Sequence, residues 1–223
     1  MNEKQAREEI CRVGRSLFDR GYVHATAGNI SVKLAAEEGG GFLITPTDAC
    51  LGFLEPARLA KLDDGGRQVS GDRASKTIAL HMKIYASARA FDPATSCVIH
   101  THSTHLVALS LRAPAGELLP PITPYFVMKV GHVPHIPYHR PGDPAAAEIV
   151  AETIRRYGAG GRPIRSVMLE RLGPNVWHDT PAAAMATLEE LEETARLVCL
   201  SPPLTPLGEG QIDELPKSFG ARW

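Results

Sequence analysis

Two histidines, His100 and His102, lie two residues apart at the end of the apolar run 97–99. Side chains in a strand alternate between faces, so the two imidazoles would point to the same side. Such a pair can occupy two neighbouring coordination positions of a divalent transition metal. The same spacing also suits a structural pair of hydrogen-bonded histidines, so the pair alone leaves both interpretations open.

A third metal ligand would have to come from elsewhere in the chain, which has nine histidines. His81 falls on the apolar face of a predicted helix, where a hydrogen-bonded core histidine is the simpler expectation. His105 lies on the helix predicted after His102 and could orient a metal ligand by a hydrogen bond. Three more histidines lie in a loop-rich segment where exposure to solvent is expected: His132, His135 and His139.

A second group of residues is suited to binding an anion. A turn of small residues before a predicted strand offers backbone N–H groups with little steric obstruction. A second turn ends the hairpin partner of that strand, and a serine-lysine pair opens a helix whose dipole favours negative charge. A simple strand start and a simple helix cap are the alternative interpretations. The candidates are Gly28, Asn29, Thr47, Asp48, Ser75 and Lys76.

The hydrophobic pattern predicts the elements that must hold these residues. Helical periodicity predicts helices over 3–20, 75–90, 144–157 and 180–200, and a shorter one starting at Ser103 or Thr104. Short apolar or alternating runs predict strands within 25–32, 42–45, 62–71, 96–102, 125–128, 135–138, 167–169 and 176–177. Helices between hairpin-paired strands indicate an α/β layered domain with a largely antiparallel or mixed sheet.

Two predictions concern the C-terminal part of the chain. The last predicted helix would place Glu189, Glu190, Glu192 and Glu193 on a solvated face. Residues 201–223 are rich in proline and glycine, which predicts an irregular tail.

Composition excludes several function classes. The formal net charge is −1, so no basic field indicates a nucleic-acid partner. No apolar run approaches the roughly 20 residues needed to span a membrane, and the charged N-terminus lacks a signal-peptide pattern. Four cysteines lie far apart without a CxxC pair, which favours reduced thiols and a cytoplasmic protein: Cys11, Cys50, Cys97 and Cys199.

Taken in order along the chain, these motifs resemble the class II aldolase/adducin-type family. The resemblance rests on Gly28-Asn29-Ile30-Ser31, Leu43-Ile44-Thr45-Pro46-Thr47, the helix after Ser75 with His81, His100-Thr101-His102-Ser103, and the late turn Leu172-Gly173. It covers roughly 5–200; residues 1–200 would form one domain, with 201–223 as a tail. The segments 124–131 and 138–143 look closest to the branch that decarboxylates 3-oxo-tetronate 4-phosphates.

The resemblance implies a three-layer α/β/α fold around a mainly antiparallel sheet, in a homotetramer with sites between subunits. The substrate would be a small phosphorylated sugar or sugar acid whose phosphate meets the six anion-binding candidates. A Zn²⁺ or similar ion would bind His100 and His102. Tyr125 matches a tyrosine that family aldolases use as a proton donor from a neighbouring subunit. The cation would stabilise the enediolate left after C–C cleavage or loss of CO₂.

The chain departs from the family pattern at two positions. Members carry a catalytic Glu four residues before the helix histidine, and Thr77 stands there. A third metal-binding His precedes the glycine of the late turn, and Leu172 stands there. Threonine is no carboxylate base at neutral pH, and leucine has no donor atom. Glu170 could face the same side as Leu172, although a surface ion pair is the simpler interpretation, and His178 is a further candidate.

Three functions remain open at the level of sequence. The first is a divalent-metal lyase or decarboxylase with a rearranged site, which the family favours. The second is a non-catalytic member that binds a sugar phosphate or serves as a subunit, which the residues at 77 and 172 favour. The third is a metal-independent enzyme in which Lys76 or Tyr125 takes a new role.

Overall fold

One mostly antiparallel sheet organises the chain in the computed structural model, which describes residues 1–112, 116–201, 203–221 and 223. Its eight strands have the spatial order β4-β3-β2-β1-β5-β8-β7-β6. Every neighbouring pair is antiparallel except β6 with β7. The strands are β1 Asn29–Lys33, β2 Phe42–Ile44, β3 Ala60–Leu62, β4 Gln68–Ser70, β5 Cys97–His100, β6 His135–Ile136, β7 Ser166–Leu169 and β8 Gly173–His178.

Helices cover the sheet and start at recognisable sequence signals. They are α1 Glu3–Asp19, α2 Ile78–Ala88, α3 Thr104–Ser110, α4 Pro124–Lys129, α5 Pro144–Ala159, α6 Pro181–Leu200 and α7 Glu209–Phe219. At α4, α5 and α6 a Thr or Asp side chain accepts a hydrogen bond from a first-turn N–H, and proline follows directly. This combination satisfies a free donor and sets the backbone of the first turn.

The two faces of the sheet carry separate apolar layers, which makes three layers in all. Ile30, Ile99 and Val176 face the layer that contains residues of α1 and α6. Val98 and Trp177, one residue along the same strands, face the layer that contains residues of α2 and α5. The period-two alternation of strands thus places His100 on the α2 face, because it lies two residues after Val98. The predicted α/β/α architecture is confirmed.

Three predictions about the elements were wrong. Residues 125–128 lie in helix α4, because the Thr123-Pro124 start signal outweighs a short apolar run. Helix α2 begins at Ile78 with Thr77 as its N-cap residue, so Ser75 and Lys76 lie in the preceding turn. The predicted irregular tail contains α7, and residues 202 and 222 of that tail lie outside the described residues.

Glu192 also differs from the prediction of a solvated glutamate face, since it is buried. Its carboxylate accepts hydrogen bonds from the backbone N–H groups of His105 and Leu106, in the first turn of α3. A negative charge is favoured at that end of a helix. Among the described residues, no helix is both long and apolar enough to cross a membrane.

Candidate active site

Strand register brings a row of polar side chains together in the middle of the sheet. Asn29 of β1 pairs with His100 of β5, which pairs on its other side with Asn175 of β8. Directly paired residues share a face, so all three side chains lie on the side of α2. All three are buried. The Asn29 Oδ1 and both amide atoms of Asn175 have no hydrogen-bond partner among the described residues. Buried polar atoms normally have one, so this row is suited to contacting a polar ligand.

His100 is held in one orientation by the backbone. Its Nδ1–H donates a hydrogen bond to the carbonyl oxygen of Pro174 at 2.9 Å, which leaves the lone pair on Nε2. Burial, followed by the neighbouring His102, lowers the pKa of His100 to about 4. The imidazole is therefore neutral at pH 7, the form that binds metals.

His102 extends this group of imidazoles toward the turn before β1. Its ring centroid lies 5.1 Å from that of His100 and 6.3 Å from that of His24, both in edge-to-face arrangements. Burial, followed by His24, lowers the pKa of His102. Three imidazoles thus follow one another at this end of the sheet.

Backbone contacts join the three anion-binding segments. The Ile30 N–H donates to Thr45 Oγ1 at 3.2 Å, and the Ser75 N–H donates to the Thr45 carbonyl at 3.3 Å. The Thr47 N–H donates to the Arg73 carbonyl at 2.8 Å. The turns around 28, 47 and 75 therefore meet at one end of the sheet, beside the row that contains His100.

Gly28 lies in close contact with the histidine strand. Its φ is +84°, and a Cβ built there would lie 2.9 Å from the His100 carbonyl oxygen and 2.8 Å from Val23 Cγ1. Only glycine fits this conformation and this spacing without strain. The anion-binding turn and the histidine strand are thus in direct van der Waals contact.

The remaining anion-binding candidates are distributed around the second turn. Asp48 has a positive φ of 57°, and with Thr47 it lines a cavity of about 530 Å³ that also includes Arg58 and Arg73. Ser75 Oγ lies 2.8 Å from Thr77 Oγ1. Lys76 is exposed. The region is open to solvent and has cationic groups at its edge.

Tyr125 lies apart from these residues. It is exposed on α4 and lines a cavity of about 790 Å³ together with Arg20, Lys129 and Arg165. Neither the histidine pair nor the six anion-binding candidates line this cavity. Within one subunit, the structure therefore does not bring Tyr125 to the other site candidates.

The family model of the class II aldolase and adducin N-terminal domain matches residues 8–199. The chain belongs to this family. It is 50% identical over 230 residues to a 3-oxo-tetronate 4-phosphate decarboxylase of Cupriavidus necator, and the match covers 99% of both chains. A protein of the same description from Escherichia coli K12 is 38% identical, with 96% of both chains covered.

Solved structures agree with this assignment. The crystal structure of Escherichia coli YgbL has a TM-score of 0.85 and 38% identity, and the match covers 96% of this chain and 98% of that one. An L-fuculose 1-phosphate aldolase has a TM-score of 0.79 at 21% identity, covering 97% and 96%, and shares the fold. The predicted membership of the class II aldolase family is confirmed.

The two positions that depart from the pattern of this class II aldolase family have apolar or hydroxyl surroundings. Leu172 packs against the apolar layer of α2 and α5. The following Gly173 has a φ of +138°, and a Cβ there would overlap the Thr101 carbonyl oxygen. The turn is therefore in direct contact with the segment that carries His100 and His102. Thr77 lies at the N-cap position of α2, and its hydroxyl bonds to Ser75 rather than to a backbone N–H of the helix. Position 172 is thus close to the histidine strand but brings a side chain that binds no metal.

The alternative ligands considered from sequence are engaged elsewhere. Glu170 accepts a hydrogen bond from the Tyr138 N–H at 3.1 Å and pairs with Arg171 at 3.2 Å, as the simpler interpretation predicted. His178 pairs with Asp179 and lies opposite Cys97, at the other end of β5 from His100.

The remaining histidines have structural contacts. His105 bonds to Glu192 at 2.8 Å, and the His132 ring stacks on Trp223 with centroids 4.3 Å apart. His135 pairs with Met168 in the sheet. The Nδ1 atom of His139 lies 2.8 Å from the Pro137 carbonyl oxygen. His81 is fully buried, with Nδ1 2.7 Å from Ser31 Oγ and no partner for Nε2 among the described residues. Burial, followed by His100, lowers its pKa to about 3.

The donor set meets only part of what the divalent cation implied by the family would need. In the part of the chain that the structure describes, no three His, Cys, Asp or Glu side chains converge as a complete metal-binding group. His100 and His102 nevertheless fit two imidazole positions of such an ion. A carbonyl that accepts from Nδ1–H is the usual way to aim the Nε2 lone pair of a ligand histidine. The pair fits a cation, and the rest of the coordination shell must come from another group.

Two candidate residues escaped the sequence analysis. His24 lies four residues before Gly28, and Asn175 is a polar residue in the buried part of strand β8. A polar residue in a buried strand was the available signal for Asn175. Nothing in the local pattern places His24 beside His102, because that contact depends on how the turn before β1 packs.

Proposed function

We propose that this chain is a carbon–carbon lyase that decarboxylates a small phosphorylated 3-oxo sugar acid. The observation that carries the proposal is the pairing of Asn29 with His100, which joins the anion-binding turn to an oriented imidazole pair. The curated relatives described above as 3-oxo-tetronate 4-phosphate decarboxylases cover nearly the whole chain. They support both the reaction class and the substrate class.

The phosphate of the substrate binds where the three turns meet. Backbone N–H groups of Gly28 and Asp48 donate to its oxygens, and Thr47 and Ser75 add hydroxyl donors. Lys76 adds a positive charge at the rim. This arrangement anchors the substrate through the part that does not react, which places the oxo acid over the polar row.

His100 and His102 hold the divalent cation, for which we propose Zn²⁺. When bound, such a cation supplies Lewis-acid stabilisation of negative charge on the substrate oxygen. Asn29 and Asn175 contact the polar groups of the substrate beside the imidazoles. The C–C bond electrons pass to the oxo group as CO₂ leaves, and the enediolate that remains takes a proton at carbon. Tyr125 of a neighbouring subunit donates that proton in a cytoplasmic homotetramer.

A second candidate function is a non-catalytic family member that retains sugar-phosphate binding. The specific observation in its favour is that Leu172 packs into the apolar layer while the Thr77 hydroxyl bonds to Ser75. Both family positions are occupied by side chains that contribute no carboxylate and no imidazole.

Metal analysis combined with a decarboxylation assay separates the two candidates. The purified protein, reconstituted with Zn²⁺, should retain metal and release CO₂ from 3-oxo-tetronate 4-phosphate. His100→Ala should lower metal affinity by about 100-fold and abolish turnover, because one aimed ligand is lost. Binding of the substrate without retained metal and without CO₂ release would instead establish the non-catalytic function.

A further inference from the structure

We propose that His24 is the third imidazole ligand of the metal site and takes the place that Leu172 leaves without a donor. This inference rests on the proposed metal-dependent function and goes beyond it by naming a ligand outside the family pattern. It starts from the contact between the His24 and His102 rings across the end of the sheet.

One of the two ring separations matches that of imidazoles that share one ion, and the other is about 1 Å longer. With metal–nitrogen bonds of about 2.1 Å and tetrahedral angles, two ligand rings have centroids about 5 Å apart. His100 and His102 meet this value at 5.1 Å. His24 and His102 are at 6.3 Å, so a shift of about 1 Å by His24 would bring the third ring into range.

The turn that carries His24 allows such a shift. His24 is exposed, and its side chain makes no hydrogen bond or ion pair among the described residues. The adjacent Val23 is buried, which anchors the backbone at one side, and the Ala27 N–H donates to the His24 carbonyl at 2.9 Å. The imidazole side chain can therefore rotate while the backbone of the turn stays fixed.

Backbone strain lies at the same turn. Ala25 has a φ of +48°, a conformation that alanine rarely adopts. Strained backbone persists where the surrounding structure imposes it, and such positions concentrate at ligand sites. Here the strained residue directly follows the histidine that reaches toward His102.

The other donors near the histidine strand are less suited to the role. Glu170 is engaged with the Tyr138 N–H and with Arg171. His81 has a buried, unpartnered Nε2, but its ring is held by Ser31 within the α2 layer. His24 is the exposed candidate whose ring already lies beside that of His102.

Zinc affinity and coordination distinguish these ligands without relying on turnover. We would measure Zn²⁺ affinity by competition with a chromophoric chelator, and count imidazoles by X-ray absorption, for the full chain and for four variants. These are His24→Ala, His24→Asp, His81→Gln and the control His139→Ala, which removes a half-buried histidine distant in sequence from the other three. We expect His24→Ala to weaken binding 10- to 100-fold and to remove one imidazole from the ion, with partial recovery in His24→Asp.

Each other outcome has a definite meaning. Unchanged affinity and imidazole count in His24→Ala, with zinc bound to the unmodified chain, would overturn this inference and leave the proposed function intact. Loss of an imidazole in His81→Gln alone would overturn it in favour of His81. Failure of the unmodified chain to bind micromolar Zn²⁺ would contradict the metal-dependent function itself.

Discussion

The anion-binding turns lie at one end of the sheet beside the imidazoles of His24, His100 and His102, which we call the histidine corner. The two regions differ in how much of the family pattern they retain. In the proposed function the turns bind phosphate through backbone N–H groups and hydroxyls, and they contain all six residues that the family resemblance implies for that role. The corner retains His100 and His102, whereas Thr77 and Leu172 replace the other polar groups.

In the proposed function, substrate anchoring and reaction chemistry therefore depend on separate parts of the sequence. An anion site made of turns needs small residues and particular backbone angles. A metal site needs particular donor atoms in a fixed geometry. A chain can therefore keep the first while it rearranges the second.

The largest effect should come from the contact that joins the two regions. Gly28→Ala should lower the free energy of unfolding by about 2–4 kcal/mol, because a Cβ would meet Val23 and the His100 carbonyl at a positive φ. Urea denaturation measures the loss.

Gly21→Ala is the matched control for this substitution. Gly21 also has a positive φ of 74°, but a Cβ there would meet nothing within 4 Å. We expect a loss of about 1 kcal/mol from backbone conformation alone. Equal losses at both glycines would show that the close approach to His100 is unimportant.

A smaller effect should appear in the pH dependence of the free energy of unfolding, through the buried His81. The pKa of His81 is lowered to about 3, so below its unfolded pKa of about 6.5 the unfolded chain binds more protons than the folded one. Stability should therefore fall as the pH drops through this window, by about 2 kcal/mol from pH 7 to pH 5 for this residue.

Unfolding with a chelator present isolates this effect from metal binding. His81→Gln should flatten the pH dependence between pH 7 and pH 5 relative to the unmodified chain. Parallel curves for the two proteins would contradict the assignment of this slope to His81.

The third effect concerns restoration of the family pattern. Thr77→Glu combined with Leu172→His should raise Zn²⁺ affinity about tenfold, because position 172 lies against the histidine strand. Isothermal titration of both proteins gives the ratio. No gain would mean that the corner is remodelled beyond these two substitutions.

The smallest effect is expected at the rim of the anion site. Lys76→Ala should raise KM for the phosphorylated substrate about threefold with little change in kcat, since an exposed lysine contributes less than about 1 kcal/mol. Lys83→Ala, which removes an exposed lysine of α2 that pairs with Glu148 of α5, serves as the control. A fall in kcat instead would assign Lys76 to the reaction rather than to binding.

Much of the fold and part of the site could be predicted from local patterns. Helix periodicity and the proline start signals predict α1, α5 and α6 closely. The motifs predicted to lie on strands are found on or next to β1, β2 and β5. The apolar run 125–128 was too short for its period to distinguish strand from helix, and there the capping residues decided for α4.

The sequence by itself determined the residue types at the site: an imidazole pair, turns able to bind an anion, and no donor at position 172. Only the tertiary structure decided that Asn29, His100 and Asn175 form one row, and that His24 meets His102. The physical reason is that such contacts join segments far apart in the chain. Sheet register and the packing of turns set them, and neither is encoded in a local pattern.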